Sequence, residues 1–138
     1  MIIWIASYPK SGNTWVRSFL STYYFSKNNK FDFNLLKNIP QYPTGQFIKE
    51  KISKPGEICQ HWKSSQDKLI NKKSITFLKT HNALVSVNGH DFANKDSTLG
   101  VIYIVRDPRN VLTSIKNHYD LNYENSLKFM KKKEIIYT

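Results

Sequence analysis

The stretch IIWIASYPKSGNTWVRSFL, residues 2–20, constrains the fold of this chain more strongly than any other. Ile2 to Ala6 is a continuous apolar run, which is typical of a parallel strand buried on both faces. Pro9 ends the run, and Ser11 or Asn13 can cap a following helix. In that helix the apolar side chains recur at helical spacing, at Val16, Phe19, Leu20 and Tyr23. The stretch therefore predicts a strand, a short polar loop and a helix.

Two later apolar runs add strands to this prediction. The first covers Ile75 to Lys79, and the second covers Gly100 to Val105. Asp107 and Pro108 follow the second run and form a good helix start, since an acidic residue caps free N–H groups and proline fits the first helical position. Strands that alternate with helices predict an α/β fold, with a parallel sheet flanked by helices.

The remaining helices follow from spacing and from loop signals. After Pro108, apolar side chains at helical spacing predict a buried face formed by Val111, Leu112, Ile115 and Tyr119. A last helix is predicted at Asn122 to Lys132. Residues 27–74 are polar and contain several prolines and glycines, so they are predicted to form loops with one or two short helices, the favoured one around His61 to Ile70.

Composition narrows the cellular setting and the partners. The formal net charge of +11 favours an anionic partner, such as a nucleotide, without selecting one. Cys59 is the only cysteine, so an internal disulfide is impossible and a reducing cytoplasm is the expected location. No signal peptide is recognisable, and no apolar stretch reaches the roughly 20 residues that span a bilayer, so no membrane partner is expected. Nucleic-acid binding is disfavoured because neither an aromatic platform nor a known binding module is recognisable.

The loop after the first strand has the chemistry of a phosphate site. Its backbone N–H groups lie at a helix N-terminus, where the helix dipole adds positive potential. Lys10 adds a charge, and the small residues Ser11 and Gly12 let backbone amides close on an anion. The lysine precedes the glycine of this loop, whereas ATP-binding loops place it after their last glycine, and the residue four positions before Lys10 is Ala6. A P-loop nucleotide kinase is therefore a weaker alternative.

A second phosphate-type site is predicted at the end of the last strand. Arg106 follows this strand directly, where P-loop NTPases carry an Asp that helps to hold Mg²⁺. A guanidinium suits a phosphate, which it binds through two parallel hydrogen bonds, and does not suit a metal ion. Ser114, on the polar face of the next helix, can donate a hydroxyl hydrogen bond to the same anion. Both sites lie at carboxyl ends of strands, where open α/β sheets bind ligands.

Three motifs, in the order of the predicted elements, resemble the cytosolic-type sulfotransferases, which use 3′-phosphoadenosine 5′-phosphosulfate (PAPS). YPKSGNTW, residues 8–15, resembles their 5′-phosphosulfate loop, and YIVRDPRNVLTSIKNHY, residues 103–119, resembles their 3′-phosphate site. FLKTH, residues 77–81, resembles the strand that ends in the catalytic histidine. The resemblance implies a P-loop-type sheet, PAPS as the donor, PAP as the product and no metal.

The resemblance also implies a role for each motif residue. Lys10 would contact the 5′-phosphate and the bridging oxygen, while Arg106 and Ser114 would hold the 3′-phosphate. His81 would be the general base that takes a proton from an acceptor hydroxyl or amine, a task suited to an imidazole near neutral pH. Lys79 would lie near the transferring sulfuryl group. The other loop residues would surround the 5′ group: Ser11, Gly12, Asn13 and Thr14. Trp15, at the end of the motif, would stack on adenine.

The sequence departs from the family pattern in composition and in length. Asn13 stands where threonine is common, and Asn110 stands where Asp is common. Family members are usually much longer and carry a late G-x-x-G-x-W-K segment, which has no counterpart here. Residues 1–138 are therefore predicted to be the N-terminal part of a single sulfotransferase domain, with an incomplete sheet that leaves an open edge and an exposed apolar face. A catalytically inactive PAP-binding fragment is the first alternative.

The sequence contains no recognisable motif that identifies the acceptor. A small-molecule or glycan-type acceptor is expected, and the oligomeric state is open. Aromatic residues of the middle segment could line an acceptor pocket, although core or lid packing is the favoured interpretation: Phe31, Phe33, Tyr42, Phe47 and Trp62. Three histidines outside the motifs are interpreted as surface or structural residues: His61, His90 and His118.

Overall fold

The computed structural model describes residues 1–49, 55–70 and 74–132, which form an α/β fold. The strands are β1 (Ile2–Ser7), β2 (Thr76–Thr80), β3 (Ser86–Val87), β4 (His90–Asp91) and β5 (Thr98–Ile104). The main sheet is parallel, in the order β2–β1–β5, and β3 and β4 form a separate antiparallel hairpin. The predicted α/β class and parallel sheet are confirmed, with strand ends shifted by one or two residues. The hairpin was not predicted.

Among the described residues, four α-helices flank the sheet: α1 (Asn13–Phe25), α2 (Trp62–Ile70), α3 (Pro108–Tyr119) and α4 (Tyr123–Lys131). Two 3-10 helices occupy Phe33–Asn38 and Pro55–His61. The start of α3 agrees with the prediction, because the Asp107 side chain accepts a hydrogen bond from the Arg109 N–H and Pro108 is the first helical residue. Val111 and Ile115 of α3 are buried as predicted, whereas Tyr119 is exposed.

The start of α1 differs from the prediction. Gly12 is the N-cap, with a left-handed φ of 102°, and no side chain caps the helix. The expectation that Ser11 or Asn13 would cap α1 is therefore wrong. A left-handed φ favours glycine because it has no Cβ to clash with the backbone. The first N–H groups of α1 are left without a capping side chain.

The buried face of α1 also differs from the apolar pattern. Phe19 and Tyr23 of the expected stripe are 68% and 70% exposed. The buried residues of α1 are instead Asn13 and Ser21. A helix that buries polar residues gains less free energy from the burial of apolar surface. Apolar packing alone therefore does not explain why Asn13 and Ser21 are buried.

An aromatic core covers one face of the sheet. The Trp4 ring of β1 lies 5.4 Å from Tyr42 and 5.3 Å from Phe92, measured between ring centroids. Trp62 of α2 lies 5.1 Å from Phe92, nearly at a right angle. These rings belong to one buried cluster, and edge-to-face packing adds to the gain from burying their area. Tyr42 and Trp62 are therefore core residues, in agreement with the favoured interpretation.

A short extended segment, residues 39–42, runs alongside β2. The Lys79 N–H donates a hydrogen bond to the Pro40 carbonyl (2.9 Å), and the Tyr42 N–H donates to the Lys79 carbonyl (2.8 Å). Gln41 is bridged to Lys79 in a parallel sense. The 39–42 segment therefore extends the sheet beyond β2 and places Gln41 beside the end of that strand.

On the opposite side of the sheet, β5 is open. Within residues 1–49, 55–70 and 74–132, β5 pairs with β1 alone. Its apolar side chains Val101 and Tyr103 are exposed, and so is Val105 just beyond it. This confirms the predicted open edge and exposed apolar face. That residues 1–138 are the first part of a longer domain stays a prediction.

Candidate active site

The loop between β1 and α1 has an unusual backbone. Lys10 and Gly12 both have left-handed φ values, 66° and 102°. The Ser11 N–H donates to the Tyr8 carbonyl (3.2 Å), which closes the turn. A left-handed residue other than glycine costs roughly 1–2 kcal/mol, so the conformation of Lys10 is held by its surroundings. Such a turn directs consecutive backbone N–H groups to one side, which forms a concave anion site.

The N-terminus of α1 completes this anion site. Because no side chain caps α1, its first N–H groups stay available to an outside acceptor. The helix dipole contributes roughly half a positive charge at this end. Ser11 is buried and its N–H is already bonded within the turn, so it supports the loop from inside. Thr14 and Trp15 are exposed at the rim, Trp15 by 83%.

Asn13 connects the loop to β1. Its side-chain nitrogen Nδ2 donates to the Ile5 carbonyl (3.0 Å) and to Ser7 Oγ (3.1 Å), and the side chain is buried. A threonine could not make both bonds as a donor, because its hydroxyl carries one hydrogen. The departure from the family pattern at Asn13 thus has a structural explanation.

Arg106 brings the end of β5 to this loop. Its Nη1 donates a hydrogen bond to the Lys10 carbonyl (3.1 Å). The neighbouring Asp107 forms its ion pair with Arg109, at 2.6 Å, and Arg106 has no ion pair among the described residues. The Arg106 side chain is therefore not held by an ion pair with Asp107. Its guanidinium keeps further N–H donors for a ligand, since it carries five.

A pocket of about 470 Å³ joins these elements. All the predicted site residues except Ser11 line it: Lys10, Gly12, Asn13, Thr14, Trp15, Lys79, His81, Arg106 and Ser114. The described residues that line the pocket include lysine, arginine and histidine but no carboxylate. Charges of one sign in a cleft concentrate anions there, so the pocket suits an anionic ligand.

His81 follows β2 and is oriented by the end of β1. Its Nδ1 lies 2.8 Å from the Ser7 carbonyl oxygen. A carbonyl can only accept, so Nδ1 carries the hydrogen and Nε2 is left as the basic nitrogen of the neutral ring. Burial lowers the pKa of His81, the bond to Ser7 opposes this, and the charges of Lys79 and Arg17 lower it again. The His81 imidazole is therefore neutral at neutral pH.

Lys79 is the cation closest to His81 along β2. Its Nζ donates to Gln41 Oε1 at 2.7 Å. Burial lowers the pKa of Lys79, and the positive charge of Arg17 lowers it further. Side chains alternate across a strand, so Lys79 and His81 lie on the same side of β2. Gln41 thus fixes the side-chain nitrogen of Lys79 on the same side of β2 as His81.

Several residues that line this pocket were not predicted from the sequence. Gln41 lines it from the 39–42 segment, and His118, Tyr119 and Phe129 line it from α3 and α4. His118 follows Ser114 by one helical turn, and this spacing could have indicated that it shares the site. Gln41 gave no comparable signal, because its place depends on pairing with a strand far along the chain.

A second, larger cavity of about 910 Å³ lies on the other side of the sheet. It is lined mainly by apolar residues, including Trp4, Val101 and Tyr103. Alternation along β2 directs Thr80 into this cavity, whereas Lys79 and His81 line the cationic pocket. The predicted site residues therefore line the smaller pocket and not the larger cavity.

The fold is α/β, and a cationic pocket lies at the carboxyl ends of its parallel strands with a neutral histidine in its lining. A family model described as "Sulfotransferase domain" matches residues 2–136 of this chain. The chain belongs to the sulfotransferase-domain family. No curated protein matches it significantly. In the described part of the chain, no helix combines the length and the apolar character that crossing a membrane requires.

Proposed function

We propose that this protein is a sulfotransferase that takes PAPS as its donor and passes the sulfuryl group to a hydroxyl or amine. Family membership supports the transferase class. One observation carries the choice of donor: the hydrogen bond from Arg106 Nη1 to the Lys10 carbonyl, at 3.1 Å. It joins the two anion-binding elements in one pocket, as a nucleotide with phosphates at both ends of its ribose requires.

The residues present fit the two charged ends of PAPS. The uncapped start of α1 and the Lys10 ammonium suit the 5′-phosphosulfate. Arg106 and Ser114 line the same pocket and suit the 3′-phosphate, since a guanidinium and a hydroxyl both donate to phosphate oxygens. The exposed Trp15 at the rim offers a flat surface on which adenine can stack.

The chemistry assigned to the chain is proton removal and charge stabilisation. PAPS supplies the sulfuryl group: the acceptor oxygen or nitrogen bonds to sulfur while the bond from sulfur to the bridging oxygen breaks. His81 Nε2 takes the proton that the acceptor loses. Lys10 neutralises the negative charge that develops on the leaving oxygen, and Lys79 stabilises the charge on the sulfuryl oxygens. No metal is part of this proposal.

The acceptor is proposed to be a small-molecule or glycan-type compound that offers a hydroxyl or an amine. His118, Tyr119 and Phe129 supply a wall of rings on the α3–α4 side of the pocket. Rings of this kind stack on sugar faces and on aromatic alcohols, which supports both acceptor types.

Calorimetric binding of PAP and of ADP by the chain tests the donor site. The two nucleotides carry the same number of phosphate groups in different places, so a clear preference for PAP is expected from a 3′ site. Equal or stronger binding of ADP would refute the PAPS proposal and favour a nucleotide kinase.

Turnover of PAPS with mixed acceptors tests the enzyme. His81→Ala is expected to bind PAP as the unaltered chain does and to lose transfer by roughly 100-fold or more. PAP binding without any transfer in the unaltered chain would instead identify an inactive PAP-binding protein. Unchanged transfer in His81→Ala would remove His81 from the role of base.

A further inference from the structure

Arg17 lies behind the reacting groups, on the side of α1 that faces the sheet. Further along α1, Tyr24 packs on Phe77 of β2, with ring centroids 5.2 Å apart. Arg17 is two turns closer to the start of α1, about 10 Å along its axis. In the same direction, Lys79 of β2 and His81, the residue just after this strand, are about 7 and 13 Å beyond Phe77. Arg17 therefore stands level with the space between Lys79 and His81.

The charge of Arg17 is not compensated by a carboxylate. Its Nη2 donates to the Leu36 carbonyl (3.0 Å), while its Nε is buried and has no hydrogen-bond partner among the described residues. No ion pair in the described ranges includes Arg17. Burial lowers its pKa, yet an arginine remains charged at neutral pH. A half-buried cation without a counter-ion disfavours folding, so a role in stability alone does not account for it.

The bond to Leu36 connects α1 to the part of the chain that leads to Gln41, the residue that accepts a hydrogen bond from Lys79. Leu36 belongs to the first 3-10 helix, which leads directly into the 39–42 segment. In that segment, Gln41 Oε1 accepts the hydrogen bond from Lys79 Nζ. Arg17 is thus one end of a short chain of contacts whose other end is an ammonium group in the pocket.

We infer that Arg17 is a positioning residue for the proposed sulfuryl transfer: it anchors the segment that orients Lys79, and it keeps a fixed positive charge behind Lys79 and His81. The effect on the rate rests on the proposed function. The effect of the charge on His81 does not, and it can be measured on the free protein.

The charge acts in a direction that serves a base. Arg17 lowers the pKa of His81, as Lys79 does, and it also lowers the pKa of Lys79. The other charged or titratable groups that share the pocket with His81 are Lys10 of the loop, Arg106 after β5, and His118 and Tyr119 of α3. Arg17 differs from these pocket-lining groups because it faces His81 from the helix behind the strand. A ligand phosphate would neutralise Lys10 and Arg106 and leave the charge of Arg17 in place.

Three variants separate the charge of Arg17 from its contact. Arg17→Gln removes the charge and keeps an N–H donor near the Leu36 carbonyl, while Arg17→Lys keeps the charge and loses the planar fork. Lys27→Met is the matched control, because it removes one charge beyond the far end of α1, more than about 15 Å from Arg17.

NMR titration of the His81 imidazole tests directly how the charge of Arg17 affects the titration midpoint of His81. In Arg17→Gln the titration midpoint is expected at higher pH than in the unaltered chain, whereas Arg17→Lys and Lys27→Met are expected to leave it in place. A midpoint that moves no further in Arg17→Gln than in Lys27→Met would overturn the electrostatic part. Loss of the folded state in Arg17→Gln would also contradict the inference, because it would make Arg17 a structural residue.

Kinetic measurements test the contact between Arg17 and the Leu36 carbonyl. Arg17→Lys is expected to lower kcat roughly tenfold or more, with the KM for PAPS unchanged, because a small misplacement of Lys79 weakens charge stabilisation in the transition state. A kcat equal to that of the unaltered chain would overturn the positioning role. If the unaltered chain neither binds PAP nor transfers sulfate, the proposed function fails, and the His81 titration still decides whether Arg17 sets the charge behind the base.

Discussion

Replacement of Arg106 by alanine tests the assignment of the 3′-phosphate most directly. The guanidinium donates one bond to the Lys10 carbonyl and keeps the rest of its N–H groups for a ligand. Hydrogen bonds to charged groups are worth about 1.5–3 kcal/mol each, and a two-pronged contact is not fully additive. We expect Arg106→Ala to weaken PAP binding by about 2–4 kcal/mol, which is roughly 30- to 1000-fold.

The comparison with AMP makes this prediction specific. AMP lacks the 3′-phosphate, so its affinity is expected to change by less than about threefold in Arg106→Ala. Arg109→Ala is the control, because Arg109 lies close to Arg106 in sequence, at the start of α3, is exposed and pairs with Asp107. Calorimetry of both nucleotides with both variants gives the result. Equal losses for PAP and AMP, or the same loss in Arg109→Ala, would show that Arg106 acts through general charge or through the loop, and the reasoning would be refuted.

Three further changes probe the loop and the base. Gly12→Ala places no Cβ within 4 Å of other atoms but forces alanine to a φ of 102°, so urea unfolding should show a loss of about 1–2 kcal/mol; an unchanged stability would contradict the backbone argument. Asn13→Ala removes both donors to β1 and should lower stability by about 1–3 kcal/mol in the same assay, whereas Thr14→Ala, at the exposed next position, should change it little. Because the pKa of His81 lies below its ordinary 6.5 and the neutral ring is the active form, kcat should stay level at neutral pH and fall only as pH drops below that ordinary value. A rate that declines already above pH 6.5 would mean that another group limits the reaction.

The parts of the fold that were predictable are those with local causes. The strand–loop–helix at the start and the cap at Asp107 depend on residues that are neighbours in sequence, and both appear at the predicted places. The hairpin of β3 and β4 was also locally encoded and was missed. Asn88 and Gly89 both adopt positive φ there, as a tight hairpin turn requires, and the Asn-Gly pair was its signal.

The parts that were not predictable depend on contacts between distant segments. Gln41 reaches Lys79 through pairing that spans 38 positions, and no periodicity in the middle segment indicates it. The buried face of α1 was misassigned for a related reason. Apolar spacing selected Phe19 and Tyr23, whereas the helix turns Asn13 and Ser21 inward. Spacing rules assume that a helix buries its apolar residues, whereas here the buried Asn13 bonds to β1 and Ser21 is buried without a hydrogen-bond partner among the described residues.

The hydrogen bond between Arg106 and Lys10 joins residues 96 positions apart, and this separation couples nucleotide recognition to the folding equilibrium. An unfolded chain cannot present the loop, the strand end and the α3 hydroxyl together, so it should have no affinity for PAP. Because PAP then binds the folded state alone, it raises the free energy of unfolding. At a PAP concentration 100 times Kd this increase is about 2.7 kcal/mol. A rise in Tm with PAP concentration would therefore report assembly of the pocket even in a variant whose turnover has been abolished.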